Sequence, residues 1–586
     1  MRKIKDLSTR RYFELVRTQL ANERSSFESH WRDIGDHIWP RGYRFSTSDT
    51  NQGDKRQQKI IDSTGSLALR TLSSGMMSGV TSPARPWFRL TVSDPQQAES
   101  SDVKTWLDEV GRRMTTVFLR SNLYNALPIL YKAIGAFGTS ALYMEEDFDE
   151  VVRFSVFPVG SFSIANDSKL KVRVFHREFR MTVRQLVQEF GITNPDKPQD
   201  INWSKLSETI KNQWMNGMYE DWIDVYHYII PNDQYEPDSD DPLKKKFLSI
   251  YLEAGKNNDS GLNLDEERVL RKQGHSFFPI LCPRWELNGQ DVYGTSCPGM
   301  DTLPDIKQLQ LHEKRSLQAI EKMVNPPMTA PTGMRNQKVS LLPGDVTFTD
   351  IREGQQGLRP IHEVRFSVRE LEEKSQQIRN RIQRGFYEDL FLMLAASDRR
   401  QITAREIEER HEEKLLALGP VLEQLNQDLL DPLIDNTFAI MLDQGLIPPA
   451  PEELQGQDLK IEYISIMAQA QKLIGIGAVE RFTSYAGQVA QYDPSVLQKI
   501  SADQLIDVYS ELVSLPAGVV RSDDEVAEIR AEMAARQQAM QQAEQAQMQA
   551  ATAKDLSQSK IEDDNGLGLL IDRAQSGQIG NPIAGI

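Results

Sequence analysis

Six cations gather in one stretch of this sequence: Lys374, Arg379, Arg381 and Arg384 in the C-terminal half of a helical pattern, then Arg399 and Arg400 in AASDRRQ. Guanidinium and ammonium groups bind phosphate or carboxylate through charge-assisted hydrogen bonds, and the first four also suit the negative end of a helix dipole. Residues 394–402 separate two helical patterns, so the paired arginines mark either an ordinary exposed turn or a site that touches phosphate. Catalytic chemistry has less to stand on. Gly255-Lys256 is followed by Asn257 and lacks a leading glycine, which leaves no phosphate-binding G-x-x-x-x-G-K-[ST] loop. The histidines, at 30, 37, 176, 227, 275, 312, 362 and 411, include no H-E-x-x-H and no zinc-spaced Cys/His pairs, and His411-Glu412-Glu413 reads as a solvated helix face. A G-x-S-x-G nucleophile elbow is missing as well. Glu145-Glu146-Asp147 and Asp238-Ser239-Asp240-Asp241 offer carboxylates to a divalent ion, as in a two-metal nuclease, but they fall where turns are expected, and solvated turn charge is the plainer reading. No catalytic residue, metal ligand or cofactor is therefore expected.

The elements that position those cations lie between Leu303 and Leu446. Ile306, Leu309, Glu313, Leu317, Ile320 and Val324 follow 3-4 spacing, and so do Val368, Leu371, Ser375, Ile378 and Ile382; each set makes one narrow seam that requires a neighbouring helix. Between them, prolines at 326, 327, 331, 343 and 360 exclude a continuous helix and leave short strands and turns. Thr403 and Glu406 form a capping box that opens a further long helix, kinked at Pro420 and Pro432. Upstream, amphipathic helices are expected over about Asp6–Trp39, from near Ile60 through a Gly/Ser/Ala-rich segment, over Val103–Leu119 and over Asn122–Tyr143. From Val151 onward the period turns to two, and short β-branched or aromatic runs at 221–230, 245–253, 268–271 and 277–286 predict an antiparallel β region inserted in a helical protein. LKIEYIS (459–465) reads as a strand, Met467–Leu512 as helical, and Ser522/Glu525 as the cap of a Gln/Ala/Met-rich helix reaching about Ala553. Val526, Ile529, Met533, Met540 and Met548 are its sparse apolar positions, which suit a coiled coil between copies or a solvated single helix.

With 586 residues, the chain exceeds what one core usually serves. Its formal charge of -16, from 84 acidic and 68 basic residues, argues against a protein that grips nucleic acid by its phosphates. Cys282 and Cys297 are too few for a disulfide framework and read as buried thiols. No apolar run approaches a membrane span and the N-terminus lacks a signal-peptide core, so synthesis in the cytoplasm and no membrane partner are expected.

DSTGSLALRTLSSGMMSGVTSPARPWFRL (62–90), IGAFGTSALYMEED (134–147), DVYGTSCPGMDTLPDIKQLQ (291–310), EKMVNPPM (321–328) and ITAREIEERHEEKLLALGPVLEQLNQDLLDPLI (402–434) resemble, in order, the portal or head-to-tail connector proteins of short-tailed bacteriophages. The likeness covers about residues 10–450. It implies an α+β, mainly α portal fold built as a ring, usually a dodecamer, at the unique capsid vertex of the virion, with an axial channel for packaging and ejecting double-stranded DNA. In that allocation residues 1–302 form the wing, 303–324 and 366–388 the stem helices, 325–365 the clip, 389–402 the channel loop, 403–466 a kinked helix and strand, 467–553 a helical crown or barrel, and 554–586 a mobile tail. Lys374, Arg379, Arg381, Arg384, Arg399 and Arg400 become candidate DNA contacts in the channel. Met328, Arg335, Lys338 and Arg352 become candidate clip contacts. The partners implied are the terminase large subunit, then tail adaptor proteins, with major capsid and scaffolding proteins around the ring. A tail adaptor or internal scaffold ring is the alternative within the virion.

Overall fold

Apolar residues recur every third or fourth position near the N-terminus, and a single helix results: α1 (Thr9–His37) buries Phe13, Leu20, Trp31 and Ile34. The computed structural model describes residues 9–47, 53, 55–92, 100–192, 200–237, 239, 241–255, 268–324, 326, 328–329, 335, 359–360, 368–397, 418–454, 459–464, 482–490, 501, 504–506, 509 and 523–558. The Gly/Ser/Ala-rich segment forms α2 (Thr64–Gly79), which starts a few residues later than Ile60. Helix α3 (Ser101–Arg120) buries Val110, Met114 and Phe118, and α4 (Leu123–Phe137) lies against α2, where the Ser73 hydroxyl donates to the Pro128 carbonyl. The helix expected to run on to Tyr143 stops at Gly138, in the left-handed region with φ +77°. A Cβ there would lie 2.4 Å from the Gly294 oxygen, so only glycine allows this turn out of the helix. Tyr143 instead sits in a strand.

Twelve strands are present among the described residues: β1 (Phe88–Val92), β2 (Ala141–Asp147), β3 (Val151–Phe157), β4 (Phe162–Asn166), β5 (Val172–Thr182), β6 (Trp222–Pro231), β7 (Phe247–Gly255), β8 (Val269–His275), β9 (Ile280–Leu281), β10 (Met328–Thr329), β11 (Arg359–Pro360) and β12 (Leu459–Tyr463). Strands β4 to β8 form an antiparallel sheet in sequence order, and β3-β2-β9 forms a second. Alternation places Arg177, His227, Tyr251 and Arg271 side by side across four strands of the first sheet. His227 stacks on Tyr251 with centroids 3.9 Å apart, and one ring nitrogen lies 2.9 Å from the Ser249 hydroxyl. The sequence pattern did not announce the helical excursion between β5 and β6. There Thr182 caps a one-turn helix through a capping box with Gln185, and α5 (Glu208–Met215) is capped by Ser207. Phe190, Leu206 and Ile210 from this excursion bury Ile223 and Val225 in a small core of their own.

Two long helices follow, α6 (Leu303–Val324) and α7 (Val368–Gly385). Tyr387, with φ +56°, then breaks the chain before α8 (Glu388–Ser397). The expected loop over 389–402 therefore overlaps a helix up to Ser397; FLMLAA is apolar and helix-favouring, and Phe391 is buried against α2. Residues 418–425 are helical and pass through a π-turn (Asn426–Leu430) into α9 (Asp431–Asp443). The π-turn sits just ahead of Pro432, where a kink was expected and where the missing N–H and bulky ring disturb the regular ladder. Its Asp428 receives two hydrogen bonds of 2.9 Å from the buried Arg284, which also bonds Asn166 and the Leu170 carbonyl, fastening this helix to the β4–β5 turn. Strand β12 pairs antiparallel with β1.

A second unit contains α10 (Asp523–Gln558), with Met533, Met540 and Met548 exposed. It runs past Ala553 because no glycine or proline intervenes. Its expected cap, Ser522, lies outside the described residues, as do most of residues 467–512 and all of 559–586. Among the described residues no helix is long and apolar enough to cross a membrane.

Candidate functional site

Helices α6 and α7 form an antiparallel pair: Asp305 and Gln308 reach Arg381, His312 reaches Ser375, and Glu313 reaches Arg379. The two apolar seams meet only in part. Ile306 and Leu309 on α6 and Ile378 and Ile382 on α7 are fully buried, whereas Leu317 is 58% and Val324 81% exposed. Near the base of the pair the seam is satisfied by its own chain; toward the tip it is not. There β10 and β11 pair, Met328 opposite Pro360 and Thr329 opposite Arg359, and so bring together the two ends of the 325–365 segment.

The expected cations divide by environment. Arg379 is three-quarters buried and points back into the chain, bonding Asp62 and Glu313 at 3.0 Å each, with Glu372 at 3.5 Å. Asp62 in turn caps α2 by accepting from the Thr64 N–H, and the Gln310 amide accepts from the Ile61 and Asp62 N–H groups and donates to the Asp62 carbonyl. Arg379 thus serves as a clamp between the helix pair and the entry to α2, a role that competes with contacting DNA. Arg381 bonds Asp305 and Gln308 across the pair. Lys374 and Arg384 are exposed, and no ion pair holds them among the described residues. Arg399 and Arg400 lie outside the described residues, as do Lys338 and Arg352; Met328 and Arg335 are exposed. Sequence reading did not single out Asp62 or Gln310. The polar Glu313 and Ser375 at seam positions signalled only their own partners, Arg379 and His312, and no local pattern pointed to Asp62 or Gln310.

This order of elements, a helix pair whose long connecting segment returns on itself, invites comparison with known proteins. Residues 13–520 match the model of the bacteriophage head to tail connecting protein family. The chain belongs to that family. Connector relatives extend the match over nearly the whole length. The chain is 46% identical over 560 residues to a portal protein of Salmonella phage epsilon15, covering 96% of this chain and 97% of that one. It is 42% identical over 549 residues to a probable portal protein of Bordetella phage BPP-1, covering 94% and 95%. The connector match ends just before α10, while the two relatives span it or nearly so.

Proposed function

We propose that the chain acts as a portal protein, a structural rather than catalytic part of the phage head, and that copies of it close into a ring, a dodecamer in the simplest case, around a channel at the capsid vertex. The observation that carries this reading is the end-to-end likeness to a portal protein, 46% identity over 97% of its length. The half-used seam supports the ring: Leu317, Ile320 and Val324 form an exposed apolar strip that a neighbouring copy would cover.

In this reading α6 and α7 are the stem, residues 325–365 the clip, residues 1–302 the wing that faces capsid and scaffolding proteins, and 467–553 the crown. The clip, through Met328, Arg335, Lys338 and Arg352, would meet first the terminase large subunit and then the tail adaptors. Residues 398–402, after α8, would reach toward the channel and carry Arg399 and Arg400 to the passing duplex. Physics favours sparse cations here. Every phosphate neutralised adds counterion-release affinity, so a basic lining would hold DNA fast, whereas an acidic wall with a few basic rings lets it slide. Replacing both arginines (Arg399→Ala with Arg400→Ala) is expected to leave assembly intact and to change packaged DNA length or retention, read from the genomes of assembled particles. Unaltered packaging and retention would contradict the channel assignment.

A further inference from the structure

The two flanks of the α6/α7 pair carry opposite charge. On one flank a groove of about 490 Å³ runs between the helices, lined by His312, Lys374, Arg381 and Arg384 with the amides of Gln308 and Gln377. Asp305 is the carboxylate paired there, to Arg381 at 3.0 Å, so the three cations leave positive charge in excess. On the other flank Arg379 meets Asp62, Glu313 and Glu372, which leaves negative charge in excess, and the Glu372 side chain is 74% exposed. Glu372 and Arg381 are nine residues apart, which at about 100° per residue sets them roughly 180° apart around α7.

We propose that the acidic flank of one copy of this chain seats on the basic groove of the next, with Glu372 brought to Lys374 and Arg384. Two different patches on opposite sides of one element are what a head-to-tail contact requires, and repetition of such a contact closes a ring. Amide N–H groups at the groove wall add donors for a carboxylate. This contact rests on the portal reading, which supplies the ring, and names the surfaces that build it.

The test uses the full-length chain with Lys374→Glu plus Arg384→Glu, with Glu372→Lys, and with all three changes together, measuring assembly mass against concentration at about 0.1 M salt. All three positions are exposed, and thermal melting confirms that each variant folds. Each one-sided reversal is expected to raise the concentration for half-assembly by about tenfold, and the combined variant to return to within about threefold of the unchanged chain. One-sided variants that assemble normally overturn the contact while leaving the ring intact. So does a folded combined variant that fails to recover, and so does normal assembly with altered DNA retention, which would turn these cations toward the duplex. An unchanged chain that stays monomeric at every concentration overturns the portal reading and the contact together.

Discussion

His227 and His176 are enclosed in the five-stranded sheet, and burial holds both rings well below the ordinary histidine pKa, reinforced at His227 by the nearby Arg177 and at His176 by Arg17 and Arg24. Both are therefore neutral when folded and take up protons on unfolding. The stability they contribute is complete above about pH 6.5, the unfolded value, and is lost progressively as pH falls below it. Melting temperature is expected to fall steeply between about pH 6.5 and pH 5, before the carboxylates titrate; His227→Gln should flatten that slope, and an unchanged slope would contradict this account. The sequence named His227 and His176 only as histidines without metal spacing. That His227 lies in a row with Arg177 and Tyr251, and His176 on the opposite face beside Tyr228, follows from strand register, which pairs residues dozens of positions apart and leaves no mark on local pattern. Arg379 was legible as a cation but not as a clamp, because its partner Asp62 lies more than 300 positions away.

At the scale of elements, the α6 seam was legible to its end residues, since 3-4 spacing and a following Pro-rich stretch fix both face and stop. The start of α8 was not. An apolar run after a helix is ambiguous from periodicity alone, and what settles it is a partner elsewhere: Phe391 fills the space that Gly75 leaves open on α2, where a Cβ would lie 2.1 Å from the ring. Through that contact α2 touches α8 at one end, while Asp62 and Gln310 hold its entry to α6 and α7 at the other. Gly75→Val is expected to displace Phe391, cost about 1–3 kcal/mol by overpacking, and speed amide exchange in α8 more than in α6. Equal exchange in the two helices would show that α2 does not brace α8.

For the whole molecule, the charge of -16 and the family membership point the same way. A chain with few concentrated cations binds a polyanion weakly, and in the proposed ring symmetry would turn each remaining cation into a ring of them that guides a duplex without holding it. The exposed tip of the seam and the opposite flanks of the α6/α7 pair are surfaces that the proposed ring would cover. Composition argued against a tight nucleic-acid binder at the outset, but the number of copies is a property of surfaces brought together from distant segments, and so the sequence left it to resemblance. The most direct measurement is the mass of the purified full-length assembly together with low-resolution imaging of the same sample. The account predicts a closed ring, twelve copies in the simplest case, with a hole along its axis; a monomer, or an oligomer filled at its centre, would contradict it.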